Sequence, residues 1–530
     1  MSAHDRGAPV PPTTTRKPLV LLTVCVSVLA INIDTTIVNV ALPTLGRELD
    51  ATTRDLLWIV DGYNLSFAAL VLAMGSLSDR WGRRPALLTG LGGFALASGL
   101  AALVDSSEAL IALRFVMGTC AALIFPTTLS IIANAFPERR ERAAALGLWG
   151  AAVGVGVAAG PVSGGLLLEH LTWHAVFWAM VPVAAVAMGL TVAFVPESRD
   201  PSVPALDRTG LAVSVAALGL LTYTIIEAPE RGWTATPTLV GFAVVVALLV
   251  GFVRHERRTP HPMLDVTLFR DRRFSAAAVA VTISFFALFG FIFLITQYFQ
   301  FVRDHSALGT GVRILPVATS IAIASIVGGL LAPRVGTKAV VTVGMTLLGS
   351  SFLWISTVAV DASYPTVIVP QMLLMGTGLG LISTPATESI LQVLPPARAG
   401  VGSAVNDATR ELGGTLGVAV IGSLFSSLYA DRLVERLGQL PGGPDAAALE
   451  QASEAVAVAD ALAAADPRLV DGVHEAFLLG LHTGCQVIGT LCLLGAVFSL
   501  VALPGRRFAQ QVQEPAEEDA EELTAANLPG

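Results

Sequence analysis

The amino-acid sequence predicts an all-α integral membrane protein of fourteen transmembrane helices, and three observations carry that prediction. Of 530 residues, 54% are hydrophobic and only 14% charged, and the mean hydropathy is +0.70. A soluble globular chain carries about 25% charged residues, so this one has too few charges to clothe a soluble surface. Apolar runs of about the 20 residues that a helix needs to cross the hydrocarbon recur along the whole chain. The basic residues are also sorted. With the N-terminus placed inside, 22 of the 32 Lys and Arg fall on inner segments, 8 on outer segments and 2 within spans, which is the positive-inside pattern. Composition alone excludes a soluble enzyme, a nucleic-acid binder and a disordered scaffold.

The spans begin near Pro18, Leu56, Pro85, Leu110, Ala143, Thr172, Leu206, Pro237, Phe274, Gly311, Ala339, Tyr364, Gly400 and Phe477. Helices are the expected form, because lipid demands internally satisfied backbones and no alternating strand-length segments point to a barrel. The first run holds Asp34 and continues to Leu42 without a small-residue cleavage site, so it reads as a span and not a signal peptide. Arg80, Arg83 and Arg84 mark the inner loop between spans 2 and 3. Arg139, Arg140 and Arg142 mark the one before span 5, and six Arg from Arg254 to Arg273 the one before span 9.

The domain boundaries expected are a disordered cytoplasmic N-terminus at 1–17, a six-helix bundle at 18–195, inserted helices 7 and 8 at 206–253, and a second six-helix bundle at 274–503. An acidic cytoplasmic tail follows at 504–530, carrying Glu514, Glu517, Glu518, Asp519, Glu521 and Glu522. Both termini are expected in the cytoplasm. Within the second bundle, 429–475 forms a long extracytoplasmic loop, where Asp445 ahead of Ala-Ala-Ala-Leu-Glu predicts a capped surface helix. Cys25, Cys120, Cys485 and Cys492 lie in apolar runs without CxxC spacing, as small core residues do. The bases are nearly all Arg, which suggests a GC-rich bacterial genome.

An internal repeat organises the spans. Gly75-Ser-Leu-Ser-Asp79-Arg80-Trp-Gly82-Arg83-Arg84 follows span 2, and Gly329-Leu-Leu-Ala-Pro-Arg334-Val-Gly336-Thr-Lys338 follows span 10, 254 residues later. At about the same offset Gly160 of span 5 falls on Gly413 and Gly414 of span 13. Six spans therefore repeat as six, with spans 7 and 8 inserted between them. Two parallel halves around a central pathway suit a transporter that alternates between inward-open and outward-open states.

Four stretches carry the chemistry. Span 5 contains Gly156-x-x-x-Gly160-Pro161-x-x-Gly164-Gly165. Glycines one turn apart permit close helix contact, and Pro161 removes a backbone hydrogen bond and invites a bend. Span 1 reads Asp34-Thr35-Thr36-Ile37-Val38-Asn39-Val40-Ala41-Leu42-Pro43, and span 2 reads Trp58-Ile-Val-Asp61-Gly-Tyr63-Asn64-Leu65. Span 4 places Arg114 three residues before Met117-Gly118, and span 13 has Asn406-Asp407-x-x-Arg410-Glu411-Leu412-Gly413-Gly414.

The loop Gly75–Arg84 matches every fixed position of G-x-x-x-D-R-x-G-R-R, and so resembles the signature of the major facilitator superfamily. The span 5 string is similar to the antiporter motif of that superfamily's drug exporters. Span 1 resembles the D-x-T-x-V-N-x-A-L-P pattern of its fourteen-span drug:proton antiporters, the QacA/EmrB-like family. Span 4 is similar to that family's R-x-x-Q-G pattern, with Met117 where the pattern has Gln. The resemblance covers residues 18 to 503. It implies a major facilitator fold of two six-helix bundles plus two inserted central helices. It further implies gating and conformational roles for Gly75, Asp79, Arg80, Gly82, Arg83, Arg84, Gly156, Gly160, Pro161, Gly164, Gly165 and Arg410.

The intramembrane charges need a reason of their own, since each costs about 2.5–3.5 kcal/mol even on a lenient insertion scale. Asp34, Asp61, Arg114, Asp407, Arg410 and Glu411 all fall within spans. A carboxyl that alternates between a proton and a cationic substrate is the simplest antiport device. Asp34 has no base near it in sequence and Leu288 at the matching position of the second half, so it reads as a proton or cation site. Asp61, nearer the outer mouth, is either a coupling group or a hydrated acid. Arg114 either neutralises one of these acids or anchors span 4. Asp407 and Glu411 share a helix face, while Asp407 and Arg410 have the spacing of an ion pair, so this group is either coupling or structural. Asn39, Trp58 and Tyr63 are expected along the substrate path, with Phe289 and Tyr298 of span 9, whose aromatics face either the path or lipid.

No Walker loop is present, and Gly376-x-Gly378-x-Gly380 lies inside a span, where it serves packing and not nucleotide binding. The function expected is proton-coupled efflux of amphipathic, cationic drugs or toxic compounds across the cytoplasmic membrane by alternating access. The alternative is a dedicated exporter of a single endogenous metabolite, antibiotic or lipid. Neither reading involves catalysis, a cofactor, a metal or nucleic acid. The partners are small-molecule amphipathic substrates, protons and the bilayer, and the chain is expected to work as a monomer.

Overall fold

A computed structural model of the chain describes residues 17–199, 207–392, 399–440 and 443–503. Apart from Lys17, the expected N-terminal segment and the acidic tail at 504–530 lie outside the described residues, as does Leu206 at the expected start of span 7. Among the described residues there is no strand. Spans 1 to 5 are Lys17–Glu48, Thr53–Trp81, Arg83–Ala101, Ser107–Ala135 and Arg139–His170. Span 6 is built of His174–Trp178 and Met180–Phe194, and the inserted spans 7 and 8 are Arg208–Arg231 and Thr236–Glu256. Span 9 is Arg272–Gln297 with a π-helical end at Tyr298–Val302. Spans 10 to 14 are Ala307–Val335, Thr337–Ile355, Tyr364–Ile368 with Val369–Gln392, Ala399–Leu437 and Val470–Ala502.

Thirteen of these, among the described residues, are long and apolar enough to cross a membrane. The remaining one is span 3, whose 19 residues open on Arg83 and Arg84. At 1.5 Å per residue it still reaches roughly 28 Å, close to the hydrocarbon thickness of about 30 Å. Span 5 runs unbroken through Pro161.

The outer connection between spans 13 and 14 is shorter than the 429–475 expected, because both flanking helices continue past the apolar core. Their polar ends pair with one another, Arg436 with Glu475 at 2.6 Å and Arg432 also with Glu475, while Arg432 pairs within its own helix with Glu435 at 2.7 Å. Apolar run length marks where the membrane ends, and a helix ends elsewhere. The capped helix is present at Ala446–Glu454, with Asp445 accepting from the Ala448 amide at 2.8 Å. A second helix, Val456–Ala465, follows.

Helix packing repeats with an offset of eight spans. Span 1 packs on 5, span 2 on 4, span 3 on 4 and 6, and span 1 also on 6. Correspondingly, span 9 packs on 13, span 10 on 12, span 11 on 12 and 14, and span 9 also on 14. Two seams join the halves, span 2 on span 13 and span 5 on span 10, and exchanging the halves converts one into the other. Span 7 packs against both span 2 and span 13, and span 8 against span 7. The repeat extends to backbone torsions. Gly82 (φ 123°, ψ 133°) and Gly336 (φ 99°, ψ 138°) end spans 2 and 10 in a region that suits glycine.

Candidate functional site

Inner and outer are used here as the basic residues assign them. The glycines of span 5 serve two contacts at once. A Cβ on Gly156 would stand 2.8 Å from the Asn32 Cβ, and one on Gly164 would stand 2.7 Å from Ile37 Cγ1, while Gly160 faces Thr36. This face seats span 5 on span 1. The other face meets span 10: a Cβ on Gly165 would stand 2.6 Å from the Ala307 carbonyl oxygen, and Gly311 packs against Pro161. At the second seam Gly422 of span 13 faces Leu57 of span 2. Gln300 of span 9 donates to the Val40 carbonyl of span 1 at 2.9 Å. The contacts that join the two halves, Gly165 with Ala307, Gly311 with Pro161, Gly422 with Leu57 and Gln300 with Val40, lie in the outer half. Toward the inner end of span 5, Gly147, Gly150 and Gly154 have no neighbour within 4 Å of a Cβ. The halves thus close on their outer side.

Behind that closure lies a buried ion pair. Asp34 is 0% exposed and Arg114 is 1% exposed, and Arg114 Nη1 donates to Asp34 Oδ2 at 2.7 Å. Arg114 Nε donates to the Ile59 carbonyl at 2.9 Å, and its guanidinium lies 4.3 Å from the centre of the Tyr63 ring. Three spans therefore hold one cation: span 1 by charge, span 2 by a carbonyl and a ring face, and span 4 by the covalent chain. An Arg suits this place because it can meet a carboxylate, a carbonyl and an aromatic face together.

Spans 1 and 2 carry buried polar atoms with no hydrogen-bond partner among the described residues: Asp34 Oδ1 and the Tyr63 hydroxyl at the pair, and, elsewhere on span 2, both Asp61 oxygens and both ends of the Asn64 amide. Each such atom costs about 1–3 kcal/mol when left unpaired in a protein interior, so this group is suited to receiving a polar or charged guest. Asp61 is 0% exposed, and the hydrated outer-mouth acid is replaced by a buried one. Asp61 and Asn64 follow Leu57 at four and seven residues, on the face turned to span 13. There Glu411 Oε2 and Thr415 Oγ1 are likewise unpartnered among the described residues.

Span 13 departs from one expectation. No ion pair joins Asp407 and Arg410 among the described residues. Arg410 instead lies 4.9 Å from the centre of the Phe285 ring on span 9, since a spacing of three permits a pair but the neighbouring helix offers the guanidinium a ring face. Asp407 takes a 3.5 Å contact from the Asn406 amide, whose oxygen accepts from Thr387 at 3.1 Å.

Of the path residues, Tyr63 joins the Asp34–Arg114 pair and the others stand apart from it. Trp58 lies against Phe115 and against Tyr223 of span 7. Asn39 turns its amide to the Thr35 carbonyl at 2.9 Å. Phe289 packs on Gly414, and Tyr298 donates to the Ala359 carbonyl at 3.2 Å. Asp79 of the inner loop pairs with Arg83 at 2.8 Å, and Arg84 reaches the Val192 carbonyl at 2.7 Å. An apolar crevice between spans 1, 5, 9 and 10 is lined by Val40, Val157, Leu288, Phe291 and Ile314. Sequence reasoning missed the Ile59 carbonyl, because a backbone acceptor has no residue-type signal. It also missed a buried acid on span 7, Glu227, whose signal was only its nearness to the outer end.

The sequence profile of the Major Facilitator Superfamily matches residues 24–418. The multidrug efflux pump LfrA of Mycolicibacterium smegmatis is 34% identical over 495 residues, covering 93% of this chain and 98% of the relative. The tetracenomycin C resistance and export protein of Streptomyces glaucescens is 32% identical over 507 residues, 94% of each chain. Among solved structures, a bacterial homologue of the human lysosomal transporter Spinster, inward-facing and unoccupied, superposes with a TM-score of 0.64. It covers 93% of this chain and 98% of its own at 15% identity.

Proposed function

This chain belongs to the major facilitator superfamily, and on that premise we propose that it exports amphipathic, cationic drugs or toxic compounds across the cytoplasmic membrane in exchange for protons. Relatives named as a multidrug efflux pump and as a tetracenomycin C resistance and export protein support drug export as the activity. The observation that carries the coupling mechanism is the buried Asp34–Arg114 pair, with one Asp34 oxygen left unpartnered among the described residues. A cation approaching Asp34 competes with Arg114 for the same carboxylate, and a proton on Asp34 weakens both. Substrate and proton thus exclude one another at a single group, which is what exchange requires. Asp61 and Glu411, on the face between spans 2 and 13, are further coupling groups. The apolar crevice between spans 1, 5, 9 and 10 accepts the hydrocarbon part of an amphiphile, and the two halves rock about the site with both termini cytoplasmic.

The test is Asp34→Asn in everted vesicles. Insertion is expected to be normal, while addition of a cationic dye no longer dissipates a pre-formed pH gradient. A variant that still dissipates it removes Asp34 from the coupling role. The second reading, a dedicated exporter of one compound, draws on the relative named for tetracenomycin C alone. A panel of cationic dyes and neutral antibiotics separates the two, since a dedicated exporter answers to one chemistry alone.

A further inference from the structure

The inserted spans 7 and 8 lie across the seam between the halves, and their side chains grip the two sides unequally. Glu227 of span 7 is 3% exposed and is held by two guanidinium groups. Arg54, at the outer start of span 2, reaches it at 2.5 Å, and Arg231 of its own helix at 3.1 Å. Arg54 also stands 3.8 Å from Glu230. Arg231 donates to the Tyr223 hydroxyl at 2.5 Å, and the Tyr223 ring packs on Trp58 of span 2. Toward the other half the polar contact among the described residues is one exposed hydrogen bond, from Trp233 Nε1 to Ser427 Oγ at 3.2 Å. Pulling Arg54 away from the buried Glu227 carboxylate gives up a charge-assisted hydrogen bond in a poorly solvated place, and so resists separation. An exposed neutral hydrogen bond exchanges with water at little cost.

We propose that spans 7 and 8 form a strap over the outer seam that travels with the N-terminal half. Glu227 is the positioning residue that fixes the strap to span 2, and Trp233–Ser427 is the contact released when the outer side opens. This rests on the alternating-access reading of the export function. For spans 2 and 13 to part at Leu57 and Gly422, span 7 must let go of one of them, and the geometry chooses span 13. Trp58 then serves as the ring against which the strap is seated.

Two cysteine pairs in the full-length chain test this, each measured before and after treatment with a short bismaleimide and against its single-cysteine controls. Trp233→Cys/Ser427→Cys is expected to export a cationic dye normally, and to stop once cross-linked. Arg54→Cys/Glu227→Cys is expected to export slowly, and to regain its rate once cross-linked, since the covalent bridge restores the grip on span 2. Hydrogen exchange at Ala307–Ile314, the outer end of span 10 on the opposite seam, reads the same motion without substrate. It should fall in the first cross-linked pair and stay unchanged in the second. Transport or exchange that survives the first bridge, or is arrested by the second, overturns the proposal, and so does failure of either pair to cross-link. If the unaltered chain moves no dye, the export reading falls, and the exchange measurement still decides the strap.

Discussion

Replacing Arg114 by methionine should expose the cost of the central pair. The change leaves Asp34, 0% exposed, without the only cation within 4 Å of it among the described residues. Breaking a buried pair by removing one partner costs about 3–5 kcal/mol, most of it the uncompensated charge. Arg114→Met also loses the Ile59 carbonyl bond and the Tyr63 ring contact, together worth about 2–4 kcal/mol. Those losses are shared by Arg114→Met/Asp34→Asn, which carries no unpaired charge. The two variants should therefore differ by the charge term alone, and the double one should be more stable by about 2 kcal/mol or more. Unfolding free energies in mixed detergent micelles, measured for the parent, both single variants and the double, complete the cycle. If Arg114→Met is as stable as the double variant, Arg114 is not the counter-charge of Asp34 and the exclusion mechanism loses its basis.

Three further outcomes are expected. Gly156→Ala should destabilise by about 1–3 kcal/mol through overpacking and slow transport, while Gly154→Ala, with nothing within 4 Å of its Cβ, should do neither; thermal scans and dye efflux on the matched pair decide it. Gly82→Ala places a side chain at φ 123°, with its Cβ 2.5 Å from Glu197 Oε1, and should lower stability by at least about 1–2 kcal/mol; an unchanged melting temperature would refute the strain. At the inner base of span 7, burial raises the Asp207 carboxyl, but the Gly210 amide and His255, 2.9 Å away, outweigh it and hold it below the usual carboxylate range. A depressed acid contributes stability above its unfolded value of about 3.9 and loses it as pH falls through the folded value. The stability gap between the parent and Asp207→Asn should accordingly be present at pH 6 and close toward pH 3, and a gap constant across that range refutes the assignment.

Much of the site was legible as a set of costly residues. Asp34, Asp61 and Arg114 were singled out because charge within an apolar run is expensive wherever the run finally packs. Their pairing was not legible. Asp34 and Arg114 are 80 residues apart, and no periodicity within span 1 or span 4 says that the two helices turn those faces to each other. Arg410 shows the converse. Its spacing from Asp407 suggested a local pair, and the Phe285 ring from span 9 took the guanidinium instead. The glycines of span 5 were readable as a close-packing face, whereas their division between span 1 and span 10 was not.

By itself the sequence determined that the chain is an all-helical membrane protein, where its apolar helices fall, that two sets of six repeat, and which residues are too costly to be incidental. Those properties are local, because transfer of each side chain into lipid has its own free energy whatever its neighbours are. The tertiary structure alone decided which charge meets which, that the outer halves of the seams are closed, and that Glu227 ties the inserted helices to span 2. Those properties belong to pairs of helices, and the energy of a buried charge is set by the partner brought to it from elsewhere in the chain.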